Sequence, residues 1–153
     1  MRKRVDIDSQ EIGFLKWVFL VFAVAFYPLL ASIYTMLPPL IGVVGLIIIY
    51  NMDRNVVYVL AAMLYLLNIE LNFSLPVLLS IFSIIVIYVS VYPSAKLMIR
   101  CQTCLSLFLI IVVDGFYYMN LFIYDFIFSS STVIGDSVLL FYIMLDLFLG
   151  FFL

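Results

Sequence analysis

Four acidic residues in or beside long apolar runs are the strongest candidates for chemistry in this sequence: Glu70, Asp114, Asp136 and Asp146. An ionised side chain at the centre of a bilayer costs at least about 2.5–3.5 kcal/mol, so such an acid faces other helices, pairs, or takes up a proton. Asp146 lies well inside its apolar run, and no Lys, Arg or His stands at a comparable position. We therefore expect Asp146 to be protonated, or to accept a hydrogen bond from Ser, Tyr or Asn on another helix.

Two roles remain open for these acids. Carboxylates in series could relay protons or cations, whereas isolated ones could join helices or offer a polar contact to a partner helix. Their spacing matches no known relay. Glu70 and Asp136 fall near the ends of apolar runs, so these two are predicted to be able to remain hydrated.

A single C-x-x-C pair, Cys101 and Cys104, follows Arg100, a cation that would favour the thiolate. The pair permits a redox role, but without His or further Cys it cannot close a zinc site. Because we expect it on the reducing side of a membrane, ordinary packing is favoured over a disulfide. We find no nucleophile–base pair and no phosphate-binding glycine loop. The sequence therefore predicts a protein that is not an enzyme, with no catalytic residue, cofactor or metal.

The composition predicts an integral membrane protein. Of the 153 residues, 68% are hydrophobic and 10% are charged, and the mean hydropathy is +1.33. Soluble domains average about 45–50% apolar and about 25% charged residues. A short basic patch at Arg2–Arg4 could touch anionic lipid, but the sequence has no basic face for nucleic acid.

The positive charges predict six membrane crossings. All seven can lie on one side: Arg2, Lys3, Arg4, Lys16, Arg54, Lys96 and Arg100. The loops assigned to the other side, near residues 32–37, 70–73 and 124–131, hold no Lys or Arg. Because translocated short loops avoid these residues, the basic loops and both termini are predicted to be cytoplasmic. A five-span alternative would place Lys96 and Arg100 outside.

Residues 1–153 thus form one predicted all-α domain of six transmembrane helices with short loops, preceded by a cytoplasmic tail over residues 1–13. The predicted spans cover about residues 14–31, 34–50, 56–70, 75–91, from 97 onwards, and 133–153. The first run is longer than the roughly 7–15 residues of a signal-peptide core, so we expect it to be retained.

Three local features refine these spans. Pro28 is expected to kink or end the first span, and Pro76 to open the fourth at an early-helix position. Polar turns are expected at residues 51–55 and 92–96. The aromatic-rich residues 116–128 are expected to leave the fifth span as an interfacial segment, which serves as an aromatic belt or as a docking surface.

The middle of the chain, over residues 37–92, resembles the rod shape-determining protein MreD family. Leu37–Leu40 reads Leu-Pro-Pro-Leu and resembles the family's LPxL opening of its second helix. Leu67–Pro76 resembles the family's LLLDLLSGSPLG, with Glu70 on the acid and Pro76 on the proline. The acid here is Glu instead of Asp, and the family's neighbouring glycines are absent.

The resemblance implies a non-enzymatic subunit of the bacterial elongasome in the cytoplasmic (inner) membrane. It would bind an MreC-like single-span coiled-coil protein and help couple the MreB cytoskeleton to peptidoglycan synthesis by a RodA-type glycosyltransferase and its penicillin-binding partner. The implied fold resembles the six-helix substrate-binding subunits of energy-coupling-factor transporters. That likeness supplies the alternative, a small-molecule-binding transport subunit, whose outward pocket would use Glu70, Asn72, Tyr124, Asp125 and Asp136.

Overall fold

A computed structural model describes residues 14–34, 36–129 and 137–152, and every regular element within these ranges is helical. The helices are α1 (Phe14–Ile33), α2 (Ile41–Asn51), α3 (Val56–Asn72), α4 (Leu79–Ser90), α5 (Tyr92–Met98), α6 (Gln102–Phe128) and α7 (Ser137–Phe151). The predicted all-α fold is confirmed. The predicted tail and Asp136 lie outside the described residues.

Helix α2 is the central element of the bundle. It packs against α3, α4, α6 and α7, and α1 packs on α3. Buried residues make up most of its length: Ile41, Gly42, Val43, Gly45, Leu46, Ile48 and Ile49. At about 1.5 Å per residue it is roughly 17 Å long, against a bilayer core of about 30 Å. Because Ile41, Gly42 and Val43 are buried, the first turn of α2 lies inside the protein, where its free backbone N–H groups need partners.

The predicted start of the second span near residue 34 is wrong, because α2 begins only at Ile41. Pro38 and Pro39 stand just before it, and both are buried. A proline offers no N–H group and disfavours the helical conformation of the residue before it. The two prolines therefore hold this segment irregular inside the bundle.

Two further boundaries differ from the prediction. The fourth helix begins at Leu79, not near residue 75. The expected turn at residues 92–96 is instead the short helix α5, with Pro93 in its first turn, where a missing N–H group costs nothing. Helices α4 and α5 meet at a bend of 47°.

Helix α6 runs without a break through the aromatic-rich segment. The backbone stays helical over all 27 residues to Phe128, so there is no break between the predicted fifth span and the predicted interfacial segment at residues 116–128. Among the described residues, α6 is long and apolar enough to cross a membrane alone, and α4 with α5 would make a second crossing if they form one broken span.

The predicted polar turn at residues 51–55 is confirmed. The N–H groups of Arg54 and Asn55 both donate to the carbonyl oxygen of Asn51, at 3.0 Å. The hydroxyl of Tyr88, on α4, donates to Asp53 at 2.9 Å. These bonds fix the α2–α3 turn beside the end of α4.

Aromatic rings continue this contact into α5. The rings of Tyr88 and Tyr92 stack with centroids 5.7 Å apart, and the Lys96 ammonium lies 5.6 Å from the Tyr92 ring centroid. On α6, the hydroxyl of Ser106 lies 2.9 Å from that of Tyr50. The α2–α3 turn, α5 and the start of α6 therefore lie at one end of the bundle.

Helix α1 continues past Pro28 to Ile33. Since Pro28 has no N–H group, the carbonyl of Val24 lacks its usual partner four residues on. The side-chain amide of Asn68, on α3, donates to this carbonyl at 3.0 Å. Asn68 in turn accepts a 2.8 Å hydrogen bond from the amide of Asn72. The defect left by the proline thus becomes a polar contact between α1 and α3.

A double-mutant cycle tests this contact. Asn68→Ala should lower the free energy of unfolding by about 1 kcal/mol, because it leaves the Val24 carbonyl unpartnered. In a Pro28→Ala background the new N–H group can serve that carbonyl, so Asn68→Ala should cost measurably less. Unfolding of the four proteins in detergent measures the coupling. An equal cost of Asn68→Ala in both backgrounds would contradict this account of the bond.

Candidate functional site

Glu70 caps the start of α4. Its carboxylate is fully buried and accepts hydrogen bonds from the N–H groups of Leu78, at 2.6 Å, and Ser80, at 2.7 Å. The residue before α4, Leu78, has a left-handed backbone with φ of 71° and no capping side chain of its own. Glu70 therefore takes the role that Ser, Thr, Asp or Asn usually fills at a helix start.

The prediction that Glu70 can remain hydrated is wrong. The connection between α3 and α4 folds back over the end of α3, and the N–H group of Leu75 donates to the Glu70 carbonyl at 2.9 Å. The carboxylate is thereby enclosed beneath its own loop. Its charge is stabilised by two backbone N–H groups and the positive end of a helix dipole instead of by water.

Pro76 lies in this connection, three residues before α4. The prediction that Pro76 opens the fourth helix is wrong, because α4 begins only at Leu79. The carbonyl of Pro76 accepts the N–H group of Leu79 at 3.4 Å. This bond forms a turn over residues 76–79, next to the N–H groups of Leu78 and Ser80 that donate to Glu70.

Asp146 and Asp114 meet at the start of α2. The N–H group of Gly42 donates to Asp146 at 2.9 Å. The Asp114 carboxylate lies against the same glycine, because a Cβ atom at Gly42 would be 2.7 Å from each of its oxygens. The two acids, from α7 and α6, are 3% and 2% exposed.

The donor to Asp146 differs from the prediction. We expected a Ser, Tyr or Asn side chain, whereas the structure uses a backbone N–H group of another helix. The physical reason is that the first turn of α2 has free N–H groups inside the bundle. Gly42 has no side chain, and this lets the Asp114 carboxylate lie against the backbone of α2.

Two tyrosines satisfy the backbone just before α2. The hydroxyl of Tyr27, on α1, donates to the Pro38 carbonyl, and that of Tyr65, on α3, donates to the Pro39 carbonyl, both at 2.9 Å. Sequence reasoning did not find these tyrosines. The signal was the buried Pro-Pro pair, whose carbonyls need donors from elsewhere.

The acids therefore form two separate sites. Asp114 and Asp146 lie together at the start of α2, whereas Glu70 accepts hydrogen bonds from the start of α4. The alternative function, a transport subunit, would use Glu70 and Asn72 in an outward-facing ligand pocket. In the structure, Glu70 is hydrogen-bonded to the start of α4 and Asn72 to Asn68. Within the described residues, no three His, Cys, Asp or Glu side chains are grouped as a metal site.

Cys101 and Cys104 are exposed free thiols at the start of α6. The Cys101 sulfur accepts the N–H group of Cys104 at 3.4 Å and so caps the helix. Hydrogen bonding from the Cys104 side chain and backbone lowers the pKa of the Cys101 thiol. The expected packing of this pair inside the chain is not observed; capping is its structural role.

An open apolar groove of about 450 Å³ follows the outer side of α6. It is lined by Gly115, Tyr118, Met119, Phe122, Ile123 and Phe126. A methyl group added at Gly115 would meet no atom within 4 Å. The groove therefore has a small residue facing open space with aromatic side chains beside it.

No protein-family model, curated protein or solved structure matches the chain. Its function is therefore proposed from the contacts described above and from the resemblance of residues 37–92.

Two glycine substitutions test the close approach at α2. Gly42→Ala should lower the free energy of unfolding by about 1–3 kcal/mol, because its methyl group overlaps the Asp114 carboxylate. Gly115→Ala is the matched control. It adds the same group where there is room and should be neutral or stabilising by up to about 1 kcal/mol. Thermal unfolding in detergent measures both, and equal effects would contradict the packing at Gly42.

Proposed function

We propose that the chain is a non-enzymatic membrane subunit that works by binding other membrane proteins, as its resemblance to the MreD family implies. The observation that carries the proposal is the state of Glu70. This acid is fully buried and holds two N–H groups of α4. A carboxylate so engaged serves the fold of the subunit, which favours a scaffold over a protein with an outward ligand pocket.

The proposed topology has six crossings with the basic loops in the cytoplasm. Support comes from the tyrosine contacts that join the α2–α3 turn to α5 and α6. Arg54 belongs to that turn, and Lys96 and Arg100 belong to α5 and the residues after it. Three basic residues thus gather at one end of the bundle, as the positive-inside rule requires of cytoplasmic loops.

The short helices fit this topology despite their length. α2 with the irregular residues before it, and α4 with its bent continuation α5, would each cross as a broken span. Non-helical backbone at membrane depth is tolerated where protein surrounds it. The acids and tyrosines at the starts of α2 and α4 supply the partners that such backbone needs.

The groove on α6 is the proposed contact for a partner's transmembrane helix. Small residues let helices approach closely in lipid, and Gly115 faces open space. Phe126 is 89% exposed and Phe122 is 49% exposed, so both rings are available to a partner. By its resemblance to the family, we propose an MreC-like single-span protein as that partner, with a RodA-type glycosyltransferase and a penicillin-binding protein as further members of the complex.

Partner recovery tests this function. The tagged protein is purified from bacterial membranes in mild detergent, and the proteins that accompany it are identified by mass spectrometry. We expect a single-span coiled-coil protein together with wall-synthesis proteins. Recovery of ATPase subunits with a coupling membrane protein would overturn the proposal in favour of the transporter subunit.

A pair of matched variants tests the proposed face. Phe122→Ala with Phe126→Ala should reduce recovery of the coiled-coil partner severalfold, because it removes the aromatic side of the groove. Phe22→Ala with Phe26→Ala is the control, since these rings are also exposed and spaced four residues apart, but on α1. Equal recovery with both double variants would remove the α6 groove as the contact.

A further inference from the structure

The two acids at the start of α2 have more negative charge than their surroundings can stabilise. One helix start offers roughly half of a positive charge. Three basic residues lie towards the other end of α2: Arg54 in the α2–α3 turn, Lys96 in α5 and Arg100 just after α5. Two ionised carboxylates would therefore share the N–H groups of the first turn of α2 as their hydrogen-bond donors, and burying an uncompensated charge costs several kcal/mol.

The groups that face this pair from neighbouring helices do not provide the missing donors. On α2, the N–H group of Val43 adds to that of Gly42. The hydroxyls of Tyr27 on α1 and Tyr65 on α3 are already donated to the proline carbonyls. Tyr118 on α6, with Tyr142 of α7 beside it, lies within electrostatic range of the acids and brings no positive charge.

The hydrogen bonds leave one oxygen of each acid without a partner. Asp114 Oδ2 and Asp146 Oδ1 are both fully buried and accept no hydrogen bond from the described residues. A single proton can satisfy both of these oxygens. The protonated acid then donates its O–H group to the free oxygen of the neighbouring carboxylate. A proton would also remove one of the two negative charges.

We propose that Asp114 and Asp146 form a proton-binding pair that holds one proton between them at neutral pH. The remaining negative charge is stabilised by the Gly42 N–H group and the start of α2. A sodium ion fits the same place less well, because the positive end of the helix dipole opposes a cation there. The pair joins α6 and α7 to α2 through a neutral acid and a single carboxylate.

Infrared spectroscopy of the full chain in lipid vesicles tests this proposal. A protonated carboxylic acid has a carbonyl stretching band that a carboxylate lacks. We expect this band at neutral pH, and we expect it to shift when the protein is grown with aspartate that carries a heavy carbon isotope in its carboxyl group. The isotope measurement uses the unaltered protein and separates aspartate from Glu70.

Variants assign the band to the pair. Asp114→Asn or Asp146→Asn should abolish the aspartate band, whereas Glu70→Gln, which alters the other buried acid, should leave it in place. No aspartate band in the unaltered protein, or a band that persists in both aspartate variants, would overturn the proposal. A band that appears in choline chloride and disappears in sodium chloride would replace the proton with a sodium ion.

Discussion

Free backbone N–H groups inside an apolar bundle are the constraint on which this structure depends. Helix α2 begins within the protein, and α4 begins beside the buried side chain of Glu70. Each helix is preceded by a leucine in the left-handed conformation that cannot cap it. An unpaired backbone group in such surroundings is expensive. Carboxylates from other helices supply the partners, Asp146 for α2 and Glu70 for α4. These buried acids are therefore part of the backbone hydrogen bonding.

The same rule explains the other buried polar side chains. Tyr27 and Tyr65 serve the carbonyls of the Pro-Pro segment, and Asn68 serves the carbonyl that Pro28 leaves free. Each proline or helix start removes a normal backbone bond, and a side chain from a neighbouring helix replaces it. Polar groups are thereby used between helices, and many of the exposed side chains are large and apolar.

Much of the fold could be predicted from sequence, because apolar runs and charges are local signals. The all-α fold and the turn at residues 51–55 follow from them. The partners of the acids could not be predicted, since Gly42 and Asp146 are 104 positions apart. The burial of Glu70 could not be predicted, because it depends on how the α3–α4 connection folds back over the end of α3. No local signal distinguishes the short helix α5 from the turn predicted there. Likewise, no local signal shows that α6 continues as one helix through residues 116–128.

Amide hydrogen exchange at the start of α4 tests the central claim most directly. In the unaltered protein, the N–H groups of Leu78 and Ser80 should exchange slowly because Glu70 holds them. In Glu70→Leu they should exchange at least about tenfold faster, since a hydrogen bond to a charged group is worth about 1.5–3 kcal/mol. The Gly42 N–H group, held by Asp146, should be unchanged and serves as the internal control. Unchanged exchange at Leu78 and Ser80 in the variant would contradict the account.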